Sequence, residues 1–143
     1  MLKKVLEIAA SAYEKFWQPS SDESTGDKSA KKVTLHWQDN VMRLYDGLYQ
    51  TEVPVPSLKE KIDLVNLTDG IAYEMKVSGK NPGHEFYKDI FKILIFNKKS
   101  EAKIKMLVFI TEKKGVEELN RGLGKEAINF AKRLNLQIEL VGV

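Results

Sequence analysis

Asp63, Glu74 and Lys76 are the residues of this chain whose types and spacing could do chemistry. They lie in the stretch Lys61 to Lys80, KIDLVNLTDGIAYEMKVSGK. It reads as two short strands joined at Thr68-Asp69-Gly70, because Asp-Gly between apolar runs is a strong hairpin signal. The second strand alternates, with Ile71, Tyr73, Met75 and Val77 on one face and Ala72, Glu74, Lys76 and Ser78 on the other. A two-residue loop over Asp69-Gly70 opposes Asp63 to Lys76, and a four-residue loop opposes Asp63 to Glu74. Opposed residues project to one face with Cβ atoms about 5 Å apart, so either even loop gathers the three side chains. A three-residue loop opposes Asp63 to Met75 and splits them.

Two carboxylates converging on one point suit a hard divalent cation such as Mg²⁺, with Mn²⁺ as a substitute, which keeps several waters and takes phosphate oxygens as further ligands. Such an ion polarises phosphorus and lowers the pKa of a bound water, and a lysine one step away steadies the charge that develops. The Met75 main-chain carbonyl, between the two side chains, is a further candidate ligand. The competing reading is a surface ion pair of Asp63 with Lys76, worth at most about 1 kcal/mol. The Glu-x-Lys spacing alone decides nothing, since it recurs at Glu101/Lys103 and Glu112/Lys114. Only the first copy sits on an amphipathic strand and follows an acid across a tight turn.

The rest of the chain must position these groups. With 143 residues, 43% hydrophobic and 30% charged, it is expected to be one globular domain, 1–143. No apolar run approaches a membrane span and the amphipathic N-terminus is not a signal peptide, so a cytoplasmic (intracellular) protein is expected. The lack of cysteine removes disulfides, thiolate nucleophiles and sulfur-bound zinc. His36 and His84 have no partner at ligand spacing, and Gly122-Leu123-Gly124-Lys125 lacks the spacing of a P-loop. Net charge is only +3, but Lys76 to Lys105 holds eight lysines against three acids. That excess is either a phosphate-facing patch, with Lys80, Lys88 and Lys92 as candidate DNA contacts, or a solvated surface.

Helical spacing predicts a first helix over 1–17, from Leu2 to Trp17, that packs on the core or reaches a second subunit. Residues 18–32 read as a polar loop or linker, and 33–143 as the core. Within it, a second helix is expected from near Leu35 or Gln38 to Tyr49, followed by an edge segment with two prolines, Thr51 to Ser57. After the hairpin, Asn81 is the expected N-cap and Pro82 the first residue of a buried helix with Phe86, Ile90, Ile93 and Leu94 on one stripe, widened by Phe91 and Ile95. Ile104 to Ile110 reads as a central strand and Gly115 to Leu134 as a helix broken or bent by Gly122 and Gly124. Leu136 to Val143 reads as a last strand. The sum is an α/β fold, a central mixed sheet flanked by helices behind an N-terminal helical segment.

Asp63, ten residues, then Glu74-Met75-Lys76, on a hairpin followed by a helix and a strand, resembles the PD-(D/E)xK nuclease superfamily over roughly Gln38 to Ile110. The resemblance implies a restriction endonuclease-like core and Mg²⁺-dependent hydrolysis of DNA phosphodiester bonds in restriction, repair or junction resolution. It gives metal binding to Asp63 and Glu74 and nucleophile or transition-state support to Lys76. It also implies a further acid ahead of the hairpin, for which Asp39, Asp46 and Glu60 are candidates, and a polar residue on the following helix, Tyr87 or Lys88. The usual proline before the first acid is Ile62 here. A homodimer is expected, because two-fold symmetry matches a duplex or junction. The alternative is a non-catalytic nucleic-acid-binding or assembly module on the same fold.

Overall fold

In a computed structural model, residues 2–18, 23–77 and 81–143 are described, with the backbone alone for 23–28. Helices α1 (Leu2–Phe16) and α2 (Glu23–Leu44) lead into β1 (Gln50–Pro54), β2 (Lys61–Asn66) and β3 (Ile71–Lys76). Then come α3 (Pro82–Lys99), β4 (Met106–Thr111), α4 (Lys113–Leu119), α5 (Gly122–Arg133) and β5 (Gln137–Gly142). The five strands form one mixed sheet in the order β1-β2-β3-β4-β5, antiparallel as far as β3 and parallel from there on. The fold is α/β.

Alternation along the central strands divides the core in two. Leu64, Tyr73, Met75, Val108 and Ile110 pack with Val5, Ala9, Val33, Trp37 and Val41 of α1 and α2. Val65, Ala72, Leu107 and Phe109 pack with Phe86, Ile90 and Ile93 of α3 and Ala131 of α5. The sheet is therefore covered on both faces, which is why β4 is a continuous apolar run. The N-terminal helix packs back on its own chain: the Trp37 indole Nε1–H donates to the Val5 carbonyl (3.2 Å), and the Tyr13 hydroxyl to Glu112 (2.7 Å).

Several expectations need correction. Most of the polar stretch 18–32 is not a loop, because α2 begins at Glu23, and a core boundary at residue 33 falls inside that helix. Its polar and small residues hid an amphipathic stripe whose buried members, Val33, Trp37 and Val41, are spaced by four. The same helix ends at Leu44 rather than Tyr49. Asn81 is the N-cap of α3 and Pro82 opens the helix, both as expected, but Asn81, at φ 55, makes no side-chain capping bond. Phe91 does not widen the buried stripe; it is 59% exposed. The Gly115–Leu134 segment breaks before Gly122, as expected, into two helices parted at Asn120-Arg121, the first of which starts earlier, at Lys113. Gly124 sits so close to the end of α4 that a Cβ there would lie 2.1 Å from the Leu119 carbonyl oxygen.

The hairpin turn is a four-residue loop, Leu67–Gly70, since Asn66 pairs with Ile71. The Asn66 side chain organises it, accepting from the Asp69 N–H (3.0 Å) and donating to the Asp69 carboxylate (3.1 Å). Gly70, at φ 69, closes the loop, and its carbonyl accepts from the N–H groups of Lys105 and Met106 at the start of β4.

Candidate functional site

The pairs Asn66↔Ile71, Val65↔Ala72 and Leu64↔Tyr73 put Asp63 opposite Glu74 at the next step. At that step the ladder changes character. The Met75 N–H donates to the Asp63 carboxylate (Oδ2, 3.0 Å), and the Asp63 N–H donates to Glu74 Oε1 (3.4 Å). Side-chain oxygens thus stand where backbone carbonyls would. The other side of β2 is also irregular at this residue, for β1 pairs through Thr51↔Leu64 and Val53↔Ile62 while Glu52 between them adopts φ 49. The Asp63 carbonyl instead accepts from Gln38 Nε2 of α2 (2.7 Å). Asp63 is therefore released from both neighbouring ladders and its position is held by side chains.

Lys76 Nζ lies 3.9 Å from Glu74 Oε2. Its own carbonyl accepts from the buried Thr111 hydroxyl (2.7 Å), which ties the end of β3 to β4. The three sequence-singled residues are thus brought together. A cavity of about 460 Å³ opens beside them, walled by Lys31, Thr34, Leu35 and Gln38 of α2, Glu52 of β1, and Asp63, Met75, Lys76 and Val77. Asp63 and Lys76 face this cavity, and Glu74 lies behind its wall with no exposed surface.

The other candidates fare differently. Lys92 is 2% exposed and cannot serve as a DNA contact; desolvating its ammonium is offset by two carboxylates and a carbonyl within ion-pair or hydrogen-bond distance. These are Glu74 Oε1 (2.7 Å), Asp89 Oδ1 (3.0 Å) and the Lys61 carbonyl (2.7 Å). Lys88 is on the surface, paired with Glu85 (3.3 Å) and Glu60 (3.9 Å). Lys80 lies outside the described residues. Among the described residues that wall the cavity, the acid ahead of the hairpin is Glu52, and Asp39, Asp46 and Glu60 are not part of that wall. His36 packs against the Phe16 ring, centroids 4.7 Å apart.

Burial and like charge dominate the electrostatics. Burial, followed by the carboxylates of Asp63 and Asp89, holds the Glu74 carboxyl well above the usual range, against the pull of Lys92 and Lys76. Burial raises Asp89 from 3.8 to about 6, opposed chiefly by Lys92. For Lys76, burial works downward, but Asp63, Glu74 and Asp89 outweigh it and raise its pKa. Lys92 follows the same pattern, with Glu74 and Asp89 overcoming burial. Both lysines are therefore cationic at neutral pH.

The Asp89 shift has a stability consequence. Its folded pKa lies above its ordinary value, so the folded state binds the proton more tightly than the unfolded chain. The resulting stabilisation is complete below about pH 4 and is lost as pH rises to about 6. Asp89→Asn is expected to remove this component. The difference in urea midpoint between variant and wild type should move in favour of the variant across that interval, and a constant difference would exclude it.

Among the described residues, no three or more histidine and carboxylate side chains are arranged to hold a metal ion. Two carboxylates do converge. Among the described residues Glu74 Oε2 is buried without a hydrogen-bond partner, and Asp63 adjoins the same carboxylate through its N–H. The Met75 carbonyl leaves the same strand edge as its N–H, toward Asp63, because both groups of a strand residue point to one side. Two carboxylates and a carbonyl fit a magnesium ion that retains several waters. No family model, curated protein or solved structure matches the chain.

Proposed function

We propose that the chain is a magnesium-dependent deoxyribonuclease of the PD-(D/E)xK type, with a restriction endonuclease-like core. The observation that carries this reading is the meeting of Asp63 and Glu74 where the β2–β3 ladder ends, the Asp63 N–H donating to Glu74 Oε1 (3.4 Å), with Lys76 Nζ 3.9 Å from the Glu74 carboxylate. An orphaned oxygen on a fully buried glutamate is costly unless something else satisfies it, and a cation shared with Asp63 would do so. When bound, magnesium supplies Lewis acidity toward a phosphodiester oxygen and toward water. Asp63 and Glu74 would hold the ion, with the Met75 carbonyl as a third donor. Lys92 fixes the Glu74 carboxylate through Oε1 and leaves Oε2 facing Lys76. Lys76, cationic and at the cavity wall, would stabilise the negative charge that builds on the phosphorus oxygens as water adds and the leaving oxygen departs. Lys31, on the opposite wall, would take a neighbouring phosphate.

The test is cleavage of plasmid, single-stranded and branched DNA with Mg²⁺, with Mn²⁺ and with chelator. Cutting that needs the ion and is lost in Asp63→Asn supports the proposal. No cutting of any of the three substrates with either ion sinks it. A second reading, a non-catalytic nucleic-acid-binding module, is favoured by Lys92, whose ammonium already neutralises Glu74 at 2.7 Å. It predicts salt-dependent DNA binding with no metal-dependent turnover.

A further inference from the structure

Helix α5 carries an apolar face that the other described residues leave open. Leu123 is 69% exposed, Phe130 63% and Leu134, at its C-cap, 48%, and Ala127 lies between them, only partly covered. These positions follow one another at intervals of four, three and four, which is one stripe of a helix. A run of three large exposed apolar side chains on one helix face marks a contact surface.

The order of residues in this stripe says what fits it. The interval pattern reads the same in both directions, so a second α5 laid antiparallel about a two-fold axis repeats it in register. Leu123 then meets Leu134 of the second copy, and Ala127 meets Phe130, small against large, as packed helices require. The charged flank is complementary in the same register. Glu126 and Arg133 share a shallow hollow with Leu123, Ala127 and Phe130, on the exposed border of the stripe. In the antiparallel pairing, Glu126 of each copy faces Arg133 of the other, twice over. A parallel pairing sets Phe130 against Phe130 and turns the two Glu126–Arg133 flanks to opposite sides of the seam, away from each other. We infer that the α5 face is a homodimer interface, a self-complementary antiparallel contact between two copies of this chain.

A stable dimer buries about 800 Å² from each partner, more than one twelve-residue helix supplies. Helix α3 extends the face: Leu94 and Lys98 share a second hollow with Leu134, and Phe91, three residues before Leu94, is 59% exposed. The inference does not rest on the chemistry assigned to Asp63 and Glu74.

Sedimentation equilibrium of the full chain tests it. The wild type is expected at about twice the 16.3 kDa of one chain, and Phe130→Glu at the monomer mass with an unchanged far-ultraviolet circular dichroism spectrum. Glu126→Arg and Arg133→Glu should each weaken the dimer about tenfold, by repulsion at two symmetric sites, and the double exchange should recover most of that loss. A monomeric wild type overturns the inference, as does a dimer indifferent to Phe130→Glu or an exchange that recovers nothing.

Discussion

Lys92→Ala is expected to destabilise the protein by about 3–5 kcal/mol, read as a large drop in urea midpoint. The reason is what the substitution leaves behind. Glu74 and Asp89 have no exposed surface, and among the described residues Lys92 is the cation in direct contact with both, at 2.7 and 3.0 Å. Lys76, 3.9 Å from Glu74 and part-exposed, is too far to replace it. With the ammonium gone, both carboxyls would take up protons, so the variant should regain stability as pH falls, the opposite of ordinary acid denaturation. A companion variant separates architecture from use. Replacing all three members of the triad together by apolar residues removes charges rather than stranding them, and such exchanges are often neutral or stabilising. A triple variant that folds as well as the wild type would mean that the triad is kept for what it does at Glu74. A Lys92→Ala protein with an unchanged midpoint would show that the buried pair is not formed in solution.

What was legible in the sequence was what depends on short-range pattern. Alternation along Ile71–Val77 and the Asp-Gly signal located the hairpin, and with it the convergence of Asp63, Glu74 and Lys76 for any even loop. The loop proved to have four residues because Asn66 folds its side chain over Asp69, an interaction that the Asp-Gly pair alone does not announce. The start of α2 was not legible. Residues 23–32 are polar or small, and the helix there shows itself only through spacing that continues into Val33, Trp37 and Val41. The burial of Lys92 is hidden for a related reason. Eight lysines in thirty residues look like a surface, and nothing local marks the one whose helix face turns inward. The available signal was Asp89 and Lys92 at i, i+3 amid Phe86, Ile90, Ile93 and Phe96, two opposite charges within an otherwise apolar stripe. Glu52 was hidden altogether, since its place on the cavity wall follows from a backbone irregularity where β1 passes Asp63.

The second large effect is expected on cleavage, where Glu74→Gln and Lys76→Met should fail in different ways. Glu74→Gln keeps the side-chain volume and the contact with Lys92 through its amide oxygen, while it removes the negative charge. Both the metal requirement and the rate should suffer, with a raised Mg²⁺ concentration for half-maximal activity and a loss of at least about 100-fold in turnover. Lys76→Met leaves the two carboxylates in place and removes a charge 3.9 Å from Glu74. Its turnover should fall by about 100- to 1,000-fold, the range seen when one transition-state donor is lost, and its Mg²⁺ dependence should not shift to weaker binding. It should bind the ion at least as well as the wild type, because Lys76 is the part-exposed cation that otherwise competes for the Glu74 and Asp63 charges. The divergence of the two variants in metal affinity carries the argument. If both lose activity with the same change in Mg²⁺ dependence, Lys76 acts only through the carboxylates. If Lys76→Met cuts as fast as the wild type, Asp63, Glu74 and Lys76 are a structural ion cluster and not a catalytic one.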